Sequence, residues 1–145
     1  MPVKFFEQEV SSKLKHRIAL RSFLEAMIRE RKPEVIEVLL DYIFCSDEAL
    51  HQINVQFLNH DDYTDIITFD LSEKADVLQG EIYISVDRVE ENARIFNVSY
   101  DDELHRVIFH GALHLCGLGD KTDAEQKIMR AAENQVLEAW KSSRA

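Results

Sequence analysis

Apolar residues fall at two spacings along this chain. At helical spacing, Leu14, Ile18, Leu20, Phe23, Leu24, Met27 and Ile28 form a broad stripe, which predicts a helix over residues 13–31 that Pro33 ends. Ala49, Leu50, Ile53 and Phe57 predict a second helix, capped by Ser46 and carrying Asp47 and Glu48 in its first turn. Val86, Val89, Ala93 and Phe96 predict a third, capped by Ser85. Ser99, with Asp102 three residues on, has the form of a capping box and opens a largely buried helix containing Leu104, Val107, Ile108, Leu113 and Leu115. Thr122 and Glu125 repeat that form before a last helix with Ile128, Ala132, Val136 and Trp140 on one stripe.

Short runs rich in β-branched and aromatic residues predict the strands, at residues 3–6, 39–45, 66–69 and 81–85. The runs at 39–45 and 66–69 read as central strands. Residues 59–62 form a polar loop and 72–79 a polar connection. Strands alternate with helices, so the class is α+β, close to α/β: a small sheet of about four strands covered by helices.

At 145 residues the chain reads as one domain over 1–145, able to bury a core without staples. Cys45 and Cys116 lie far apart, which argues against a disulfide framework and for the reducing cytoplasm. No apolar h-region follows Met1, and no apolar run is long enough to span a membrane. The net charge of −10 argues against broad electrostatic capture of nucleic acid, while leaving room for a local site where a metal dication attracts phosphate. The densest basic face, Lys13, Lys15, Arg17, Arg21 and Arg29, reads as the solvated side of its helix.

The chemistry concentrates in residues 110–120. His110 and His114, four apart on a helix, place two imidazoles on adjacent turns of one face, the spacing that lets both grip one ion. Gly117 is placed to stop that helix in the left-handed conformation, Gly119 allows a second tight turn, and Asp120 can return a carboxylate. Two His and one carboxylate leave an open coordination position, the pattern of a catalytic metal site. Gly111 occupies the position where the metalloprotease motif carries its general base, Glu, so hydrolysis here relies on metal-activated water or on a base from elsewhere. His105 lies five residues before His110, off the ligand face, and reads as surface; so do His16 and His51. Cys116 reads as a packed small hydrophobe.

The run His110-Gly-Ala-Leu-His-Leu-Cys-Gly resembles the signature of the YbeY family, bacterial metal-dependent endoribonucleases of ribosomal RNA maturation. Residues 64–69, Thr-Asp-Ile-Ile-Thr-Phe, resemble that family's Thr-Asp/Asn-Val-Leu-Ser-Phe strand, and residues 80–84 its Gly-Asp-Ile-x-Ile strand, with Glu81 for Asp. The resemblance implies a zinc ion, one per chain or replaced by another divalent metal, held by His110, His114 and Asp120. Asp120 stands where the family has a third His, and carboxylate oxygen is an acceptable zinc ligand. Many members carry an arginine in a longer loop before the Thr64 strand; residues 59–63 here are shorter, with His60 the nearest to a basic group.

The function implied is a zinc-dependent, single-strand-specific endoribonuclease acting on ribosomal RNA, alone or with the ribosome and ribosome-associated proteins. Thr64, Asp65, Thr68 and His60 are its candidate substrate contacts. For Thr64, Asp65 and Thr68 the plainer reading is turn and strand chemistry. Two other classes compete: a peptidase-like metal hydrolase, opposed by Gly111, and a non-catalytic ribosome-assembly factor, in keeping with the acidic charge. Oligomeric state is left open.

Overall fold

Among the described residues the two apolar spacings resolve into nine elements: β1 (Val3–Glu7), α1 (Arg17–Arg31), β2 (Glu37–Cys45), α2 (Asp47–Leu58), β3 (Ile66–Asp70), β4 (Val77–Ser85), α3 (Val86–Phe96), α4 (Tyr100–Leu115) and α5 (Asp123–Ser143). They are seen in a computed structural model that describes residues 2–144; Met1 and Ala145, the ends of the sequence-based domain limits, lie outside the described residues. The expected α+β architecture is present. One sheet in the order β1-β2-β4-β3 has β1, β2 and β4 parallel and β3 antiparallel to β4.

Alternation along the strands divides the sheet into two faces. Val3, Phe5, Leu40, Tyr42, Phe44, Ile82 and Ile84 join the main core with residues of α1, α4 and α5. On the opposite face, Cys45 and Ile67 pack with Leu50 of α2 in a smaller cluster. Helix α4 runs through the middle, with Leu104, Ile108, Phe109, Ala112 and Leu113 fully buried. The hydroxyl of Tyr42 donates to the Ile108 carbonyl at 2.8 Å and ties the helix to β2.

Several expectations are corrected. The first helix starts at Arg17, because Lys13 and His16 both take positive φ and the Glu7 carboxylate captures the N–H and hydroxyl of Ser12. Leu14 is still buried, so the stripe overran the helix, while Ile18 faces water. Strand β3 is an edge strand, not a central one, and β4 reaches back to Val77, with Gln79 exposed inside it. Phe57, Phe96 and Ile128 are exposed. On α5 the buried line is Met129, Ala132, Glu133, Val136, Leu137 and Trp140, one residue out of phase at its start. His105 is buried rather than on the surface, stacked on Phe109 and tilted against Trp140 with ring centroids 6.1 and 5.4 Å away. Among the described residues no helix is long and apolar enough to cross a membrane.

Candidate active site

Two imidazoles reach one pocket because α4 lies close against the sheet. A Cβ built on Gly111 would stand 2.9 Å from Cδ1 and Cγ2 of Ile82 and 3.1 Å from Cδ1 of Ile66. Glycine directly after His110 therefore lets the helix approach β4 and β3. The Glu of a metalloprotease helix would have to displace these methyls to sit at this position.

Helix α4 is capped by Ser99, whose hydroxyl accepts from the Asp102 N–H at 3.1 Å. It ends in a Schellman turn: the Gly117 N–H donates to the His114 carbonyl at 3.0 Å and the Leu118 N–H to the Leu113 carbonyl at 3.2 Å, with Gly117 at φ +107°. The chain then reverses, and Oδ2 of Asp120 comes within 3.3 Å of Nε2 of His110. The far side of the turn is held by the cap of α5. Thr122 accepts from the Glu125 N–H, and the Glu125 carboxylate accepts from the N–H groups of Lys121 and Thr122. Gln126 donates to the Asp120 carbonyl at 3.1 Å.

The other nitrogen of His110 is also engaged. Nδ1 lies 2.7 Å from Oε2 of Glu133, a buried carboxylate on α5. Oε1 of Glu133 pairs with Arg106 at 3.3 Å and Arg130 at 3.4 Å. Burial works to raise the Glu133 carboxyl, but the His110 bond, the His110 and Arg130 charges and the Arg106 bond hold it below its ordinary value. Burial works to lower His110, and the bond to Glu133 with the charges of Glu133, Asp120 and Asp65 outweighs it. Asp65 is raised chiefly by burial.

Thr64, Asp65, Ile66, Thr68, His110, His114 and Asp120 line a cavity of about 250 Å³. Every site residue expected from the sequence is there except His60, which lies on the exposed loop and does not line it. A neighbouring cavity of about 410 Å³ shares Asp65, His110 and Asp120 and adds Arg106, Arg130 and Phe96. A groove of about 450 Å³ between α1 and α5, lined by Phe23, Met27, Val136 and Ala139 among others, holds none of these candidates.

Among the described residues, no three His, Cys, Asp or Glu side chains are drawn into a ready ligand cluster. His110 and Asp120 meet directly; His114 stands exposed on the pocket wall one turn along. The donor set nevertheless fits a divalent ion. Nδ1 of His110 is committed to a carboxylate, which leaves Nε2 to the pocket, as in metal-binding imidazoles with a carboxylate behind them.

The sequence profile of the family described as Endoribonuclease YbeY matches residues 5–141. This chain belongs to that family. Among curated YbeY relatives, the Endoribonuclease YbeY of Cytophaga hutchinsonii is 47% identical over 133 residues, covering 92% of each chain. That of Flavobacterium johnsoniae is 45% identical over 132 residues, 91% of this chain and 93% of its own. That of Bacteroides thetaiotaomicron is 56% identical over 96 residues, 66% and 69% of the two chains. A solution structure of a Thermotoga maritima protein matches with a TM-score of 0.60 and 28% identity, over 97% of this chain and 93% of its own.

Sequence reasoning missed Glu133, with its partners Arg106 and Arg130. The signal was a charged residue inside the buried line of the last helix, between Met129 and Leu137. It was hidden because a stripe taken as Ile128, Ala132, Val136 and Trp140 leaves Glu133 at its edge rather than within it.

Proposed function

We propose that this chain is a zinc-dependent endoribonuclease that cuts single-stranded RNA during ribosomal RNA maturation and ribosome assembly or quality control, in the cytoplasm. The observation that carries this reading is the state of His110. Its Nδ1 is held by buried Glu133 and its Nε2 faces Asp120 in a polar pocket, in a chain whose relatives bear the name Endoribonuclease YbeY.

His110, His114 and Asp120 would hold one zinc or another divalent ion. Such an ion supplies Lewis-acid polarisation of a phosphodiester and an activated water. The chain's own residues do the rest. Glu133 fixes the ring and tautomer of His110, Gly111 sets the depth of α4, and the Gly117 turn delivers Asp120. Thr64, Asp65 and Thr68 form the wall along which the RNA strand lies. With a net charge of −10 the surface offers phosphate little general attraction, so the ribosome or its associated proteins are the partners that present the RNA.

The test is metal content of the purified chain beside His114→Ala and Asp120→Ala, followed by cleavage assays on single-stranded RNA and a casein-type substrate. We expect about one zinc per chain in the parent, lost in both variants, with RNA cut and casein left intact. No metal in any sample after zinc is added back overturns the catalytic reading and leaves a non-catalytic ribosome-assembly factor. Casein turnover without RNA turnover overturns the choice of substrate.

A further inference from the structure

Strand β3 ends the sheet, and among the described residues no strand pairs with its outer side. The phase of its ladder shows which backbone groups are committed. The Ser85 N–H donates to the Asp65 carbonyl at 2.9 Å, and the Leu71 N–H donates to the Gln79 carbonyl at 2.8 Å. In an antiparallel pair these bonds recur at alternate residues, so Asp65, Ile67, Phe69 and Leu71 direct their backbone groups to β4. Ile66, Thr68 and Asp70 direct theirs outward. The Ile66 carbonyl takes the Thr64 hydroxyl at 3.4 Å. Thr68 differs: the phase of the ladder turns its N–H and carbonyl away from β4, to the side where no strand pairs among the described residues, and it lines the pocket of His110, His114 and Asp120.

We propose that this open edge is where RNA is told from DNA. The backbone N–H and carbonyl of Thr68, with its hydroxyl, hold a ribose 2′-hydroxyl of the strand lying past the metal ligands. The inference rests on the endoribonuclease reading. A 2′-hydroxyl both donates and accepts, and it is the group that distinguishes RNA at a given site. One outward-facing residue of an edge strand presents both complements on the same side. A deoxyribose would leave them facing the substrate unpaired, and a site built to bond a hydroxyl rejects an analogue lacking it. An added peptide strand would also satisfy an open edge. The Ile66 carbonyl, which such a strand would use, already accepts the Thr64 hydroxyl at 3.4 Å, and the peptide arm of the test separates the two occupants.

The test measures affinity, by fluorescence anisotropy, for a single-stranded RNA and the DNA of the same sequence, with and without a chelator. Three proteins are compared: the parent, Thr68→Val and Thr68→Pro. Valine removes only the hydroxyl. Proline also removes the outward N–H and leaves the ladder intact, as edge strands tolerate. We expect the parent to favour RNA, with the preference shrinking in Thr68→Val and falling by roughly tenfold in Thr68→Pro, while DNA affinity holds. Equal affinity for RNA and DNA in the parent overturns the proposal, as does unchanged preference in a folded Thr68→Pro protein.

If Thr68→Pro does not fold, RNAs with a single 2′-deoxy nucleotide decide with the parent and Thr68→Val. A loss confined to one or two positions, smaller in the variant, supports the proposal; an equal small loss at every position overturns it. Displacement of RNA by a casein-derived peptide reassigns the edge to peptide. RNA cleavage by the parent is measured in parallel. Its absence defeats the endoribonuclease reading, whereas cleavage with unaltered preference in the Thr68 variants defeats only this inference.

Discussion

Nδ1 of His110 lies 2.7 Å from Oε2 of Glu133, a contact between α4 and α5 that spans 23 residues of sequence. The same carboxylate collects Arg106 and Arg130 on its other oxygen. It thus settles which nitrogen of His110 faces the pocket, and a neutral amide would do so less firmly. Glu133→Gln is expected to weaken zinc binding 10- to 100-fold, roughly the effect of losing such a partner, as read by competition with a chromophoric chelator. Glu133→Ala also strands Arg106 and should cost about 1–3 kcal/mol in denaturant unfolding. Equal zinc affinity in parent and Gln variant would remove Glu133 from the site.

Gly111 acts through distance. An added methyl would meet Ile82 at 2.9 Å, so Gly111→Ala should push α4 off the sheet and destabilise by about 1–3 kcal/mol. Ile82→Val takes away one of the two opposing methyls. The double variant should therefore recover part of the loss, a non-additivity visible in the melting temperatures. Strict additivity would show that the close approach is not what selects glycine here.

Gly117 acts through backbone conformation instead. Its φ is +107° and nothing lies within 4 Å of an added Cβ, so Gly117→Ala meets strain without a clash. The expected cost is about 1–3 kcal/mol. Because the turn delivers Asp120 to His110, zinc affinity should fall together with Tm. A fall in Tm with zinc affinity intact would mean that Asp120 finds the ion without the turn.

His105 makes folding sensitive to acid. Burial pushes its imidazole below the ordinary value of 6.5, against the Asp101 carbonyl and the charges of Asp101 and Asp102. Nε2 has no partner among the described residues, so a proton there would be a buried charge without compensation. With the folded value the lower one, the unfolded chain takes up the proton first as pH falls. Stability from this residue is full above about pH 6.5 and declines below it, at most by about 1.4 kcal/mol per pH unit. His105→Leu should flatten the Tm profile between about pH 7 and pH 5. A profile parallel to the parent's would place the acid sensitivity elsewhere.

How much of this was legible beforehand varies with the range of the interaction. The caps at Ser46, Ser85, Ser99 and Thr122 were readable because a capping side chain and its N–H partner lie within three residues of each other. Gly117 was readable for the same reason. The grouping of Thr64, Asp65 and Thr68 with the two histidines was reached through motif resemblance, not through periodicity, since nothing local links residues so far apart. Phe57, Phe96 and Ile128 were misplaced because a stripe fixes the spacing of a helix's apolar face better than its phase.

By itself, then, the chain determined its elements, the two-turn spacing of His110 and His114, and the turn that lets Asp120 come back. All of these act within a few bonds or one or two turns of backbone. The tertiary structure decided the rest. It put β3 at an edge with Thr68 turned to its open side, buried His105 against Trp140, and brought Glu133 across to His110. Each depends on which faces meet when α4, α5 and the sheet pack, and close packing of distant segments is not written in the spacing of any one of them.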